Sequence, residues 1–143
     1  MIKKRYLVIE SIAFIILLIF TISLIVVTNS IKSKNDYLQD NIDHIFSYNF
    51  SKAQENLLYE QGYESSAEEN AYVCVSLFQY TTYAENDSLG QIVSILCDIE
   101  NFENIKEGAE KGSEVVDTLG KLALDLKNEE LAEDALTSIL ACM

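Results

Sequence analysis

The chain has 143 residues and a formal net charge of −13, with 23 Asp/Glu against 10 Lys/Arg, no proline, five glycines and three cysteines. So acidic a surface repels nucleic acid and anionic lipid heads, both of which need basic partners, and no nucleic-acid partner is expected. Three widely spaced cysteines are too few for a disulfide-rich scaffold or a Cys-x-x-Cys metal knuckle.

A basic flank, residues 1–5 with Lys3, Lys4 and Arg5, opens the chain. Residues 6–28 come next as YLVIESIAFIILLIFTISLIVVT, in which Glu10 is the only charged residue. As a helix this segment reaches about 35 Å, enough to cross a hydrocarbon core about 30 Å thick. It exceeds the apolar run of a secretory signal and lacks a small-x-small cleavage pattern, so it reads as a retained transmembrane anchor in contact with membrane lipid. Lys32 and Lys34 lie just beyond it, and the three-to-two bias of basic residues puts the N-terminus in the cytoplasm and the remainder outside.

Residues 29–35 form a juxtamembrane segment, and 36–143 an acidic helical domain. From residue 35 onward there are 22 Asp/Glu against five Lys, a net charge of −17. Period-two alternation is absent and helical spacing recurs, so the expected fold is all-α: one transmembrane helix followed by a bundle of four or five helices.

The first soluble helix is expected over 34–59, able to run on from the anchor. Its apolar stripe is Leu38, Ile42, Ile45, Phe46, Asn49, Ala53 and Leu57, with Gly62 as a C-cap. Ser65 with Glu68, or Ser66 with Glu69, has capping-box spacing. The helix so started extends to about Glu85 and buries Ala67, Ala71, Cys74, Val75, Phe78 and Thr82. Ser88 with Gln91 signals a third helix to about Asn101, with Leu89, Ile92, Val93, Leu96 and Ile99 on one face.

A fourth helix is expected from Asn104 to Leu126, burying Val115, Val116, Leu119, Leu122, Ala123 and Leu126, with a tight contact or a kink at Gly108 and Gly112. The last runs from Glu129 to Ala141 and buries Leu131, Ala135, Leu136 and Ile139. Cys74 and Cys97 fall among apolar positions and are expected to pack as small hydrophobes, a disulfide between them being the alternative.

Chemistry is thinly signalled. The single histidine, His44, has Asp40 one helical turn away, and any hydrolytic site would depend on it. Glu103, Glu107, Glu110 and Glu114 could line one helical ridge, but Glu-x-x-His motifs are missing and Lys106 and Lys111 interrupt the charge, which suits an exposed face. Glycine-rich phosphate loops are absent, so no catalytic residue, metal ligand or cofactor is assigned. Asn49 and Asn86 open Asn-x-Ser sequons.

Aromatic residues crowd the first half of the domain. Phe50, Tyr59, Tyr72, Tyr80 and Tyr83 are the expected surface for a membrane or extracytoplasmic protein partner, since tyrosine offers large area at small entropic cost. Short helices with residual apolar stripes also allow a homo-oligomer. The expected function is therefore a membrane-tethered interaction, sensor or accessory module without catalysis. A small anchored enzyme using His44 is one alternative.

Another alternative comes from the N-terminus. KKRYLVIESI resembles the start of type IV prepilins, where a basic leader and a glycine precede an aromatic residue and a glutamate stands five positions into the mature chain. Tyr6 and Glu10 match those two positions, and Arg5 occupies the place of the glycine. Over about the first thirty residues the resemblance implies a structural subunit that assembles through its N-terminal helix, with Glu10 as an assembly residue and a β-sheet head behind it.

Overall fold

In the computed structural model, residues 2–57, 64–110 and 114–143 are described, with side chains from residue 14 in the first helix and from residue 66 in the second. Every regular element among them is an α-helix: α1 (Ile2–Asn56), α2 (Glu64–Phe78), α3 (Asp87–Leu96), α4 (Ile99–Glu110), α5 (Val115–Leu124) and α6 (Glu129–Leu140). The chain divides into two compact units, Met1–Leu38 and Gln39–Met143. Among the described residues the second unit holds helices and no strand, in place of the β-sheet head that the prepilin resemblance implies.

Within the second unit α1 presents Phe46, Phe50, Ala53 and Leu57 to the core. These steps of four, three and four trace one helical stripe. Phe46, Ala53 and Leu57 are buried as expected, but other positions of the expected stripe are not, and Phe50 takes their place. Ile45 is exposed and Asn49 only partly buried, whereas Phe50 is fully enclosed and stacks on Phe46 at a ring-centroid distance of 6.2 Å. Phe78 and Tyr83 complete an aromatic layer around Phe46, at 6.1 and 5.5 Å.

α2 buries Ala67, Ala71 and Cys74 as expected, while Val75 is exposed. It ends at Phe78, seven residues before the expected boundary. The cause is local: Thr81 turns its hydroxyl back to the Phe78 carbonyl at 2.7 Å, and the amides of Tyr80 and Thr81 close on Leu77 and Phe78. A Thr hydroxyl that takes a helix carbonyl competes with the next turn. Gly62 lies outside the described residues, as does the side chain of Ser65, whose backbone is already within α2.

Asn86, not Ser88, caps α3: its Oδ1 accepts from the Leu89 amide at 3.0 Å. Leu89, Ile92, Val93 and Leu96 are fully buried. The helix stops at Leu96, and Asp98 starts α4 by accepting from the Asn101 amide at 3.1 Å. Ile99 therefore belongs to α4 and is half exposed.

The single helix expected over 104–126 is two. α4 buries Phe102 and Ile105, and α5 buries Val115, Leu119 and Leu122. Asn128 caps α6 by accepting from the Leu131 amide at 3.1 Å, which sets Ala132, Ala135 and Ile139 inward. One core results, with α3 packed against α2, α4 and α6, and α5 packed against α4 and α6.

Candidate functional site

The first unit is defined by what it leaves uncovered. From Phe14 to Val27 the large side chains Phe14, Leu17, Phe20, Leu24 and their neighbours are about half to two thirds exposed, and no residue of the apolar window is buried. The polar side chains in this stretch close on their own helix: Thr21 Oγ1 donates to the Leu17 carbonyl at 2.8 Å and Ser23 Oγ to the Ile19 carbonyl at 2.9 Å. With its hydroxyls satisfied internally, the segment can present a continuous apolar cylinder to hydrocarbon without stranding a donor. It is the single described helix long and apolar enough to cross a membrane. The side chains of Tyr6 and Glu10 lie outside the described residues.

The second unit keeps its aromatic residues in two different roles. Phe50, expected on the partner surface, is in the core, because the residue four positions from Phe46 must share its inward face. Tyr83 is partly buried against Phe46, and burial, reinforced by the nearby Asp43 carboxylate, pushes its phenol above the ordinary range. Tyr72 and Tyr80 face outward, at 66% and 56% exposure. Tyr59 lies outside the described residues. The five expected residues therefore do not form one face.

Around Tyr72 the α2 surface is concave. Glu68, Glu69, Tyr72 and Val73 line an open depression of about 520 Å³ that combines an aromatic ring with two carboxylates. A second depression, about 430 Å³, lies between the end of α2 and the start of α3 and is lined by Phe78, Asp87, Gly90, Gln91, Ser94 and Ile95. Both are shallow, and each carries acid at its rim.

Tyr80 is held in place by a device missed in the sequence. Gln39 Nε2 donates to the Tyr80 carbonyl at 2.7 Å and to Asp43 Oδ1 at 3.2 Å. The same Asp43 carboxylate accepts from the amide and the hydroxyl of Thr82. Gln39 and Asp43 are one turn apart on α1, a spacing that permits such a clamp but does not name its distant acceptor.

His44 and Asp40 both occupy exposed positions on α1. Glu103, Glu107 and Glu110 are exposed on α4, and Glu114 begins α5, so the expected ridge does not continue along one helix. Among the described residues no group of three or more His, Cys, Asp or Glu side chains converges as a metal site would.

Cys74 and Cys97 are thiols. Cys74 points its Sγ at the Phe46 carbonyl, 3.6 Å away, and burial, with a smaller effect from Cys97, pushes it up to about 12. Burial also raises Cys97, assisted by Glu68 and Asp98. Thiols so disfavoured as thiolates are poor nucleophiles. The sequons are equally occupied by structure: Asn49 Nδ2 donates to the Ile45 carbonyl at 2.7 Å, and Asn86 is 6% exposed while it caps α3.

The chain is thus an all-α protein with one apolar N-terminal helix and a following helical bundle. No protein-family model, curated protein or solved structure matches it.

Proposed function

We propose that this chain is a membrane-tethered accessory module that binds a protein partner and carries out no catalysis. The observation that carries the reading is the pairing of a fully uncovered apolar helix, Phe14–Val27, with a bundle whose own core is closed. The helix confines the bundle to a membrane surface, and outward groups are left to recognise a neighbour.

Tyr72, with Glu68 and Glu69 beside it, and Tyr80, fixed by Gln39, are the residues assigned to contact. A broad ring bordered by carboxylates suits a partner surface with apolar and cationic groups. The excess of Lys3, Lys4 and Arg5 over Lys32 and Lys34 supports a cytoplasmic N-terminus and an extracytoplasmic bundle.

The test is photo-crosslinking in native membranes, with benzoylphenylalanine in place of Tyr72 or Tyr80 and, as a control, in place of the exposed α6 residue Glu133. A C-terminal tag reports the side of the membrane. One heteropartner captured from positions 72 and 80 but not 133 supports the reading. Equal capture from all three positions, or none, removes it.

A further inference from the structure

We infer that the first unit pairs with a second copy of itself as a parallel, left-handed two-helix coil, through a seam of Leu17, Leu24, Ile31 and Leu38. The inference rests on the membrane-anchor part of the reading above and is independent of the partner assigned to Tyr72 and Tyr80.

These four residues stand seven apart and are 66%, 52%, 54% and 57% exposed. On a straight α-helix residues at that spacing drift by only about 20° per step, so the four make one narrow stripe, and a strict seven-residue repeat is what a left-handed supercoil follows. Within the apolar block any period would fit. The informative positions are those beyond it, in TNSIKSKNDYL, where Ile31 and Leu38 continue the count while Lys32, Ser33, Lys34, Asn35 and Asp36 fill the places between. Phe20 and Val27 take the alternate seam positions inside the block.

Lipid cannot cover the whole stripe. Counted from Tyr6, Leu38 is about 48 Å along the helix, beyond the roughly 30 Å of hydrocarbon, so an aliphatic side chain there meets water or protein. A second copy is the occupant the anchor itself supplies. Two chains inserted with the same sense lie parallel at the same depth, which sets Ile31 opposite Ile31 and Leu38 opposite Leu38 without any further alignment. Tyr37 flanks the seam and widens it, exposed at 67%. Lys34 falls at a seam position, where its long stem can lie along the apolar groove and its ammonium reach outward to lipid head groups. A charge there weakens the pair while fixing its register.

The test uses the full chain in phosphatidylcholine–phosphatidylglycerol vesicles, with Cys74, Cys97 and Cys142 replaced by alanine and helicity verified. Single cysteines are then placed at each position from 29 to 38 and oxidised. Self-crosslinking is expected to peak at Ile31→Cys, Lys34→Cys and Leu38→Cys and to be roughly tenfold lower at Lys32→Cys, Ser33→Cys and Asp36→Cys, on the opposite side of the helix. Adding Ile31→Glu to Leu38→Cys should abolish its peak. A flat profile, or peaks on the Lys32–Asp36 side, in a chain that resists carbonate extraction overturns the pairing and leaves the anchor standing. Release of the chain by carbonate overturns both.

Discussion

The carboxylate of Asp43 on α1 grips Thr82 twice, taking its backbone amide at 2.9 Å and its hydroxyl at 2.5 Å across 39 residues of chain. Hydrogen bonds to an ionised acceptor are stronger than neutral ones, and these two fix the turn after α2 on which Tyr80 is carried. Asp43→Ala should lower stability by about 2 kcal/mol and Thr82→Val by about 1 kcal/mol. Denaturant midpoints in detergent would read both, and the double variant should fall short of the sum by at least ~0.5 kcal/mol. Full additivity would mean the pair is not coupled.

The glycines of α4 and α5 should respond in opposite senses to the same change. A methyl at Gly120 meets nothing closer than Gln54 Nε2 at 3.9 Å, so Gly120→Ala should stabilise by about 0.5–1 kcal/mol through helix propensity. At Gly108 the added Cβ would lie 2.5 Å from Cys142 Sγ and 2.8 Å from its Cβ. There the clash outweighs propensity, and Gly108→Ala should cost about 1–3 kcal/mol. Thermal midpoints of the two variants moving together would contradict the close approach of Cys142 to Gly108.

Asn86 and Asn128 begin their helices in the same way, each accepting an amide three residues on. Replacing either by alanine should cost about 1 kcal/mol. Asn86→Ser should cost less than Asn86→Ala, because serine keeps an acceptor for the cap and removes the buried Nδ2, which lacks a partner. A serine variant no better than alanine would show that the cap is not what Asn86 contributes.

Alkaline pH should loosen the bundle through Cys74. Its folded-state value is raised to about 12 from an ordinary 9, so the native state holds the proton more tightly than the unfolded chain. Stability is therefore fully present below about 9 and falls as the pH climbs toward about 12. Tyr83, also raised, contributes with the same sign. Unfolding measured from pH 8 to 11 should show a shallower decline in Cys74→Ala than in the parent chain. In the parent, thiol reagents at pH 8 should modify the partly buried Cys97 before Cys74; the reverse order would place Cys74 outside the core.

Much of the architecture was legible because apolar spacing left a single choice of face. Leu89, Ile92, Val93 and Leu96 cluster on one side of α3, and Ala135 and Ile139 on one side of α6, with Leu140 the large apolar residue of α6 left outside. α1 was harder, since Leu38, Ile45 and Tyr48 are apolar on one side and Phe46, Phe50 and Ala53 on the other. Periodicity establishes that a stripe exists; which stripe turns inward depends on the helices that meet it. The break between α3 and α4 was expected between Asn101 and Asn104 and falls at Cys97–Asp98 for a related reason: either residue is tolerated within a helix, and the bond that the Asn101 amide donates to the Asp98 carboxylate decides for the earlier start. Among the candidate contact residues, tyrosine serves core and surface alike, so sequence could not separate the outward Tyr72 from the half-enclosed Tyr83.

The fully buried residues of α2 are Ala67, Ala71 and Cys74, side chains that bury little volume beside the leucines and isoleucines of α3, and bulk enters only at its C-terminal end through the partly buried Leu77 and Phe78. Its hold on the core depends more on close backbone approach than on interlocking bulk, and each such contact displaces few methylenes from water. Local opening free energies track that difference. Within the bundle, α2 is then the segment whose amides should trade with deuterated solvent first, while those of α3 persist until the whole domain opens.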